Sequence, residues 1–223
     1  MSRAVLLALL VLGCSDLTEE PGGVVALEIS IPTLLTIEVG EMLDLSARAL
    51  NKDGDSVAAE VTWVAPDPTL TVEPATGLIT GVAPGTGRVQ ALSGSLSSQL
   101  VQFNVIARAD TLIVTDSIFT VAPGVAASPP LVAQLQTLSP AAAPLPDRPV
   151  EYVIIGPVDG SVTLPGGVLI DTLNTGTDGA VSGVTLNRVN LAQSISAVVQ
   201  VNAYRTRGAL VPGTGQRFTV TFQ

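Results

Sequence analysis

The residue types that most often carry enzyme chemistry are scarce in this chain. It contains no histidine and one cysteine, Cys14, among 223 residues. A Ser-His-Asp or Cys-His arrangement needs a histidine as the base that activates the nucleophile. Ordinary zinc sites draw on histidine and cysteine ligands. The sequence therefore predicts a protein that is not an enzyme and that holds neither a metal nor a cofactor.

Carboxylates are the remaining groups that could serve as acid and base. Glu19 and Glu20 are adjacent in a polar stretch where nothing would desolvate one of them, so glycosidase chemistry is not expected. Asp53 and Asp55 lie in a stretch that resembles an oxygen-rich calcium loop, but Lys52 lies inside it and no glutamate ends it. A hairpin turn is the better interpretation, and a hydrolase with an unrecognised acid pair is a minor alternative.

The lone cysteine follows an apolar leader. Arg3 precedes nine apolar residues, 4–12, which is the layout of a secretion signal. A bilayer span takes about 20 apolar residues, so this run is too short to be one. Residues 11–14 (VLGC) resemble the lipobox of bacterial lipoproteins. The resemblance implies that residues 1–13 are removed as a signal peptide and that Cys14, acylated on its sulfur, begins the mature protein.

Acylation would make Cys14 a membrane anchor. Each buried methylene contributes about 0.8 kcal/mol, and stable anchoring takes at least two acyl chains. In some enterobacterial lipoproteins an aspartate directly after the cysteine favours the inner membrane; Ser15 stands there, so the resemblance implies the outer membrane, on its surface or periplasmic face. Residues 14–23 are polar and acidic and end in Pro-Gly-Gly, which predicts a flexible tether of roughly 30 Å at about 3.3–3.6 Å per residue.

The bulk composition favours short strands and excludes one class of partner. Hydrophobic residues make up 47% of the chain and aromatic residues 3%, with 21 Gly and 16 Pro, which is typical of strands joined by tight turns. Residues 15–107 carry twelve acids and three bases, whereas residues 108–223 carry seven and six. Because no basic patch exists to neutralise phosphates, nucleic acid is excluded as a partner.

Alternation of apolar and polar residues begins at Val24 and predicts strands of an antiparallel sandwich. Four segments alternate in this way: 41–50, 60–65, 86–93 and 98–106. Trp63, the only tryptophan, falls among apolar strand neighbours, so we predict that it belongs to the core and not to a ligand platform. Residues 51–54 and 75–77 are predicted turns.

Four motifs make residues 24–107 similar to a known family. They are Val39-Gly40-Glu41, Val61-Thr62-Trp63, TGLITG at 76–81 and Gly85-Thr86. This pattern resembles the bacterial Ig-like domain of group 2, in which a V-G-E turn, a tryptophan strand, a T-G turn and a G-T strand follow one another. The resemblance implies an immunoglobulin-like β-sandwich, the first module here, of the kind that serves as a spacer or binding module on cell surfaces.

A second module is predicted at residues 108–223. Its apolar segments, separated by Gly and Pro turns, favour another Ig-like sandwich. The segments are 111–115, 131–138, 149–155, 167–173, 180–186, 195–204 and 217–222. Residues 140–149 are Pro-rich and are predicted to form a loop. Residues 147–164 and 177–186 resemble the Ig-like type of invasin- and intimin-like adhesins (group 1), with a predicted bulge at Gly183.

These features predict an all-β protein of two tandem Ig-like β-sandwich domains, with boundaries at 24–107 and 108–223. The predicted function is that of a lipid-anchored envelope or surface protein whose modules serve adhesion, protein–protein contact or spacing. Its partners would be the membrane, through Cys14, and a protein or glycan that the sequence does not identify. A second hypothesis is a periplasmic ligand- or carbohydrate-binding lipoprotein, which would require exposed aromatic residues.

Overall fold

The computed structural model describes residues 23–223, so the predicted signal peptide, Cys14 and nearly all of the tether lie outside it. Residues 23–107 form eleven strands that pair only with one another, and residues 108–223 form another eleven that do the same. The all-β prediction is confirmed. In residues 23–223 the structure contains no helix with the length and apolar character needed to cross a bilayer.

The strands of the first module form three sheets. The strands are β1 (Ala26–Ile29), β2 (Thr36–Glu38), β3 (Met42–Asp44), β4 (Ala47–Leu50), β5 (Ser56–Val57), β6 (Thr62–Val64), β7 (Leu70–Val72), β8 (Leu78–Gly81), β9 (Gly85–Ser93), β10 (Leu96–Ser97) and β11 (Val101–Ile106). The sheets are β1-β4-β5, β10-β9-β11-β2 with β6 on β9, and β3-β8-β7. β2 runs parallel to β11, and β1 runs antiparallel to β4.

The predicted strand at residues 41–50 is divided between two sheets. β3 pairs with β8, whereas β4 pairs with β1. Leu45, between the two strands, is buried, and so is Ala49, while Asp44 and Arg48 are exposed. The predicted alternation is therefore confirmed, because the chain keeps its apolar face inward while it crosses from one sheet to the other.

Trp63 lies in the core of the first module, as predicted, with 4% of its surface exposed. The turn at residues 75–77 brings Gly77 against its indole. Gly77 has φ of 79°, and a Cβ there would lie 2.7 Å from Cε2 of Trp63 and 2.8 Å from the carbonyl oxygen of Leu45. The close approach and the left-handed backbone both require glycine at this position.

The second module is a two-sheet sandwich with a small additional pair of strands. Its strands are β12 (Thr111–Val114), β13 (Ile118–Val121), β14 (Ala133–Thr137), β15 (Ala143–Pro144), β16 (Pro149–Gly156), β17 (Val162–Thr163), β18 (Ile170–Asn174), β19 (Ala180–Val181), β20 (Asn187–Arg188), β21 (Ile195–Ala203) and β22 (Gln216–Phe222). The sheets are β13-β22-β21-β16-β18, β12-β14-β15 with β19 on β14, and β17-β20. A 3-10 turn spans Pro165–Gly167.

The structure corrects several predictions in this module. The loop predicted at 140–149 contains the short strand β15, which pairs with β14 as an edge strand, where proline is tolerated. The strand predicted at 180–186 ends at Val181; beyond it Val184 accepts the N–H of Leu131 at 2.8 Å, and Leu186 donates its N–H to Oγ of Ser128 at 2.9 Å. This segment stays attached by single hydrogen bonds instead of a ladder, so Gly183 marks the loss of the strand and not a bulge within it. The strand β13, which the sequence pattern did not predict, lies parallel to β22.

Aromatic rings fill the centre of the second core. The Phe218 ring centroid lies 6.2 Å from that of Phe119 and 6.4 Å from that of Tyr152. Tyr152, on β16, is fully buried and donates its hydroxyl to the carbonyl of Leu131 at 3.0 Å, just before β14 of the other sheet. Burial raises the pKa of the Tyr152 hydroxyl, so the hydroxyl stays protonated and ties the two sheets together.

Candidate functional site

The candidate groups for chemistry in the sequence, none of which is predicted to carry it, are the lone cysteine and two carboxylate pairs. Cys14 and the pair at 19–20 lie outside the described residues. Asp53 and Asp55 lie in the turn between β4 and β5, where Oδ1 of Asn51 accepts both of their backbone N–H groups at 3.0 and 2.9 Å. The turn prediction is confirmed. Within residues 23–223, no group of three or more His, Cys, Asp or Glu residues is arranged to hold a metal ion.

An aromatic platform would be the signature of carbohydrate binding, and the exposure of the aromatic residues bears on it. All seven aromatic side chains belong to the described residues. Tyr204 is 47% exposed, Phe119 is partly buried, and the other five lie in the two cores. A flat stacking surface in residues 23–223 would therefore consist of Tyr204 alone.

Charged residues converge where the two modules meet. This junction cluster consists of Glu38, Glu41, Arg108, Asp110, Arg148, Arg205 and Arg207. It joins the end of β2, the connection at residues 107–110 and the loop at 204–210 between β21 and β22. Four of the six basic residues in the second half of the sequence belong to it. The excess negative charge of the first module is thus partly met by arginines of the second.

Glu38 is the centre of the junction cluster. It ends β2 and is 1% exposed. Its Oε1 accepts the backbone N–H and the hydroxyl of Thr206 at 3.4 and 3.1 Å, and its Oε2 accepts the backbone N–H of Ala109 at 3.3 Å. The carboxylate of Glu38 belongs to the first module, but its hydrogen-bond donors belong to the connection and to the second module.

Two arginines complete the surroundings of that carboxylate. Nη1 of Arg148 lies 3.4 Å from Oε1 of Glu38, and another nitrogen of the same guanidinium donates to the carbonyl of Ala107. Nε of Arg205 lies 4.0 Å from Oε2 of Glu38 and donates to the carbonyl of Ala109 at 3.0 Å. Both guanidinium groups therefore bind the connection between the modules as well as Glu38.

A second set of contacts lies beside the first. Nε of Arg207 lies 3.2 Å from Oε1 of Glu41, and its Nη2 donates to the carbonyls of Leu34 and Thr36, each at 3.2 Å. The other carboxylate oxygen of Glu41 accepts the backbone N–H of Glu38 at 2.8 Å. The turn after β2 and the loop at 204–210 are consequently held by both backbone and side-chain contacts.

Asp110 lies at the edge of the junction cluster, in the connection between the modules. Its Oδ1 lies 3.0 Å from Nε of Arg108 and 3.9 Å from Nη2 of Arg205. Its Oδ2 accepts the backbone N–H of Leu138 at 2.9 Å and the hydroxyl of Thr137 at 3.2 Å. The connection is thereby fixed to β14 of the second module.

The loop at 204–210 presents its residues to the first module as the tip of a hairpin. Tyr204 and Leu210 form an antiparallel bridge, and Arg205 donates its N–H to the carbonyl of Ala209 at 2.7 Å. Gly208 reverses the chain with φ of 84°. This turn places Arg205, Thr206 and Arg207 against the end of β2, which is why sequence spacing alone did not reveal the site.

The junction cluster is built to hold two bodies together. Its acids are all paired with arginines, and every buried side-chain nitrogen or oxygen of residues 23–223 has a hydrogen-bond partner. A cavity of about 120 Å³ remains beside Glu38. Removing one member of a buried ion pair leaves an uncompensated charge and costs about 3–5 kcal/mol. The arrangement therefore resists separation of the modules and offers no activated nucleophile.

Comparison with known proteins adds the family of the first module. Residues 28–102 match the family model of the bacterial Ig-like domain (group 2). No curated protein has a matching sequence. Among solved structures, the chain is similar to the Yersinia pseudotuberculosis adhesin InvE, with 18% identity over 86% of this chain and 57% of that one, and a TM-score of 0.40.

Two further solved structures have the same kind of similarity. Surface layer protein SbsC, domains 1-6, has 16% identity over 91% of this chain and 29% of that one, with a TM-score of 0.35. The D00-D0 domain of intimin has 14% identity over 88% of this chain and 99% of that one, with a TM-score of 0.34. The chain thus spans only part of the adhesin and of the surface layer protein. The family predicted for the first module is confirmed: residues 28–102 match a bacterial Ig-like domain of group 2.

Proposed function

We propose that this protein is a non-enzymatic lipoprotein of the outer membrane, anchored through Cys14, whose two Ig-like modules form one rigid unit for protein contact at a set distance from the bilayer. The observation that carries the proposal is the buried Glu38, held between the modules by Arg148, Arg205 and Thr206. A spacer or adhesive arm needs a stiff connection, since a loosely linked pair of modules would not fix the position of its binding face.

The sequence before the first module and within it supports the same role. The VLGC motif resembles a lipobox, and the polar stretch that follows Cys14 would separate the first module from the membrane. Residues 28–102 match the bacterial Ig-like domain of group 2, and the resemblance implies a spacer or binding module. Binding of a protein is better supported than binding of a glycan, because Tyr204 alone would have to serve as the aromatic platform for a glycan.

Anchoring and orientation are tested together by protease treatment of cells. Intact and permeabilised cells would be treated with protease and the protein followed with an antibody, beside a Cys14→Ala variant and a matched Ser15→Ala control. We expect release of Cys14→Ala from the membrane fraction and retention of Ser15→Ala. Cleavage on intact cells indicates the surface face, and cleavage only after permeabilisation indicates the periplasmic face. Equal retention of Cys14→Ala and wild type would refute the anchor.

Rigidity is tested by measuring distances between spin labels on the two modules. Labels on Met42→Cys and Ile170→Cys, both at exposed positions, would be placed in a Cys14→Ala background. We expect a narrow distance distribution that broadens in Glu38→Ala and stays narrow in Glu28→Ala, which removes only an exposed pair with Arg48. A broad distribution in the unaltered junction would exclude the rigid unit.

A further inference from the structure

An apolar groove opens on the side of the first module, between β1 and the beginning of β11. Its volume is about 530 Å³, and its walls come from β1 with the residues that follow it and from the beginning of β11. Ile31, Leu35 and Leu100 line it with exposed side chains, at 67%, 37% and 48%. Contiguous exposed apolar surface of this kind marks interaction sites in soluble domains.

One wall of the groove is an unpaired strand edge. In the described chain β1 pairs only with β4. Ser30, directly after β1, donates its N–H to the carbonyl of Ser46, which precedes β4, so this N–H points toward β4. Because N–H and C=O groups of successive residues in a strand alternate in direction, those of Leu27 and Ile29 face away from β4, toward the groove. The wall therefore offers backbone donors and acceptors as well as apolar side chains.

The opposite wall has the same character. β2 covers β11 only from Asn104 onward, where Asn104 donates its N–H to the carbonyl of Leu35 at 2.8 Å. By the same alternation, the N–H and C=O of Gln102 lie on this side of β11, before the paired region begins. Among residues 23–223, no strand continues β2 along Gln102.

Edge strands are usually protected by charged side chains, proline or a covering segment. β1 carries one charged residue, Glu28, and its carboxylate is paired with Arg48 at 2.6 Å. The strand β1 itself therefore has neither a proline nor an uncompensated charge to discourage strand pairing; the first proline after it is Pro32. Its shape and its backbone groups match an extended chain better than a compact ligand.

We infer that this groove binds an extended segment of a partner protein by strand addition, with alternating apolar side chains inserted into the groove and basic residues at its flanks. The basic flanks follow from charge, because residues 15–107 carry twelve acids against three bases. The same acidity disfavours a second copy of this chain. It also disfavours the stretch before Gly23, which contains Asp16, Glu19 and Glu20. This inference deepens the proposed role in protein contact and rests on it.

The test uses the full chain in detergent and a defined peptide, Lys-Val-Thr-Val-Thr-Val-Thr-Val-Lys. Amide hydrogen exchange is measured with and without the peptide. We expect the amides of Leu27, Ile29 and Gln102 to gain protection, while that of Ser30, already bonded to Ser46, is unchanged. The same peptide N-methylated at alternate residues, which removes its donors on one edge, should not bind.

A matched pair of variants locates the binding. Ile31→Lys with Leu100→Lys adds positive charge and removes apolar surface at the groove; we expect peptide affinity to fall at least about tenfold. Ile118→Lys with Leu138→Lys makes the same change at exposed positions of the second module and should leave affinity unchanged. Equal binding by both variants, or no binding by the wild type, would overturn the inference.

The other occupants are distinguished in the same experiment. Protection of Leu27 and Ile29 in the free monomer would show that the chain before Gly23 fills the groove, and a dimer in sedimentation that Ile31→Lys with Leu100→Lys dissociates would show a second copy. Either result overturns the inference. Because the purified chain is used, these outcomes are independent of the anchoring test on cells: loss of the Cys14 anchor leaves the groove intact, and failure of peptide binding leaves the anchor intact.

Discussion

The two modules bury their apolar residues in different ways. The second module has one continuous core that extends between both of its sheets and contains Tyr152, Phe218 and Phe222. The first module has a core around Trp63 and a separate small cluster of Val24, Leu27 and Ala49 under β1 and β4. The second module is thus the more uniformly packed body. The strand beside the groove, β1, contributes Ile29 to the core around Trp63 and Leu27 to the small cluster.

This difference assigns separate tasks to the modules. The second module supplies the loop at 204–210 and Arg148, which contact Glu38 of the first module, so its continuous core supports the residues that hold the junction. In the described part of the first module one edge of β1 is unpaired. Leu27 of this strand packs in a cluster of three buried residues, and so few contacts allow the strand to shift slightly when a partner binds. Trp63, as the only tryptophan, makes the comparison measurable because its fluorescence reports on the first module alone.

The largest effect should come from emptying the centre of the second core. Phe218 is fully buried between Phe119 and Tyr152, so Phe218→Ala should cost about 3–5 kcal/mol of unfolding free energy. Leu27→Ala, in the small cluster of the first module, should cost about 2 kcal/mol, at the low end of such changes. Urea unfolding followed by amide exchange checks both values. A larger loss for Leu27→Ala would reverse the ranking of the two cores.

Breaking the junction should uncouple the modules. Glu38→Ala leaves Arg148 and Arg205 without their carboxylate and should cost about 3 kcal/mol. The unfolding midpoint from Trp63 fluorescence should then separate from that of the second-module amides, whereas the two midpoints coincide in the wild type. Glu28→Ala, at an exposed pair, should change stability by less than about 1 kcal/mol. Coincident midpoints in Glu38→Ala would show that other contacts hold the modules together.

The faces of most strands could be predicted from the sequence, because alternation reflects one buried side. The inward residues of 41–50 and 98–106 were found in this way, as was the burial of Trp63. Alternation does not report which sheet a strand joins, so the division at Leu45 was missed. It also failed at 180–186, where two consecutive residues, Ser182 and Gly183, are exposed and the backbone lacks a continuous partner.

The site was harder to predict than the fold. The unequal distribution of acids between the two halves is visible in the sequence, but the counts do not show which acids of the first module lie against arginines of the second. Glu38 looks like an outward residue of an amphipathic strand, and Arg205, Thr206 and Arg207 look like a solvated turn. Only the docking of that turn onto β2 makes Glu38 a buried residue.

Two glycine-to-alanine substitutions in the first module should separate the cost of a left-handed backbone from the cost of steric contact with Trp63. Gly77→Ala places its Cβ against Trp63 and the carbonyl of Leu45 in a left-handed backbone, so it should cost about 2–3 kcal/mol and blue- or red-shift the Trp63 emission. Gly54→Ala has a similar φ of 83° but open space around it, and should cost about 1 kcal/mol. If Gly77→Ala and Gly54→Ala lowered the free energy of unfolding equally, the Trp63 indole would be able to move away from the added methyl group without a loss of stability.

The smallest effect should come from the hydroxyl that joins the sheets of the second module. Tyr152→Phe removes the hydrogen bond to Leu131 and should cost about 1 kcal/mol at neutral pH. The pH dependence is the sharper measurement. Burial raises the pKa of Tyr152 in the folded state, whereas an unfolded tyrosine titrates near about 10.

The sign of that dependence follows from proton linkage. Above a pH of about 10 the unfolded state releases the tyrosine proton while the folded state keeps it, so the free energy of unfolding falls as pH rises. The stabilising contribution is complete below that pH and is lost progressively above it. Tyr152→Phe should lack this alkaline loss, and Tyr204→Phe, at an exposed position, should retain it. Unfolding titrations between neutral pH and the alkaline range check the slope; an unchanged slope in Tyr152→Phe would mean that the hydroxyl is reached by water in the folded state and does not tie the two sheets.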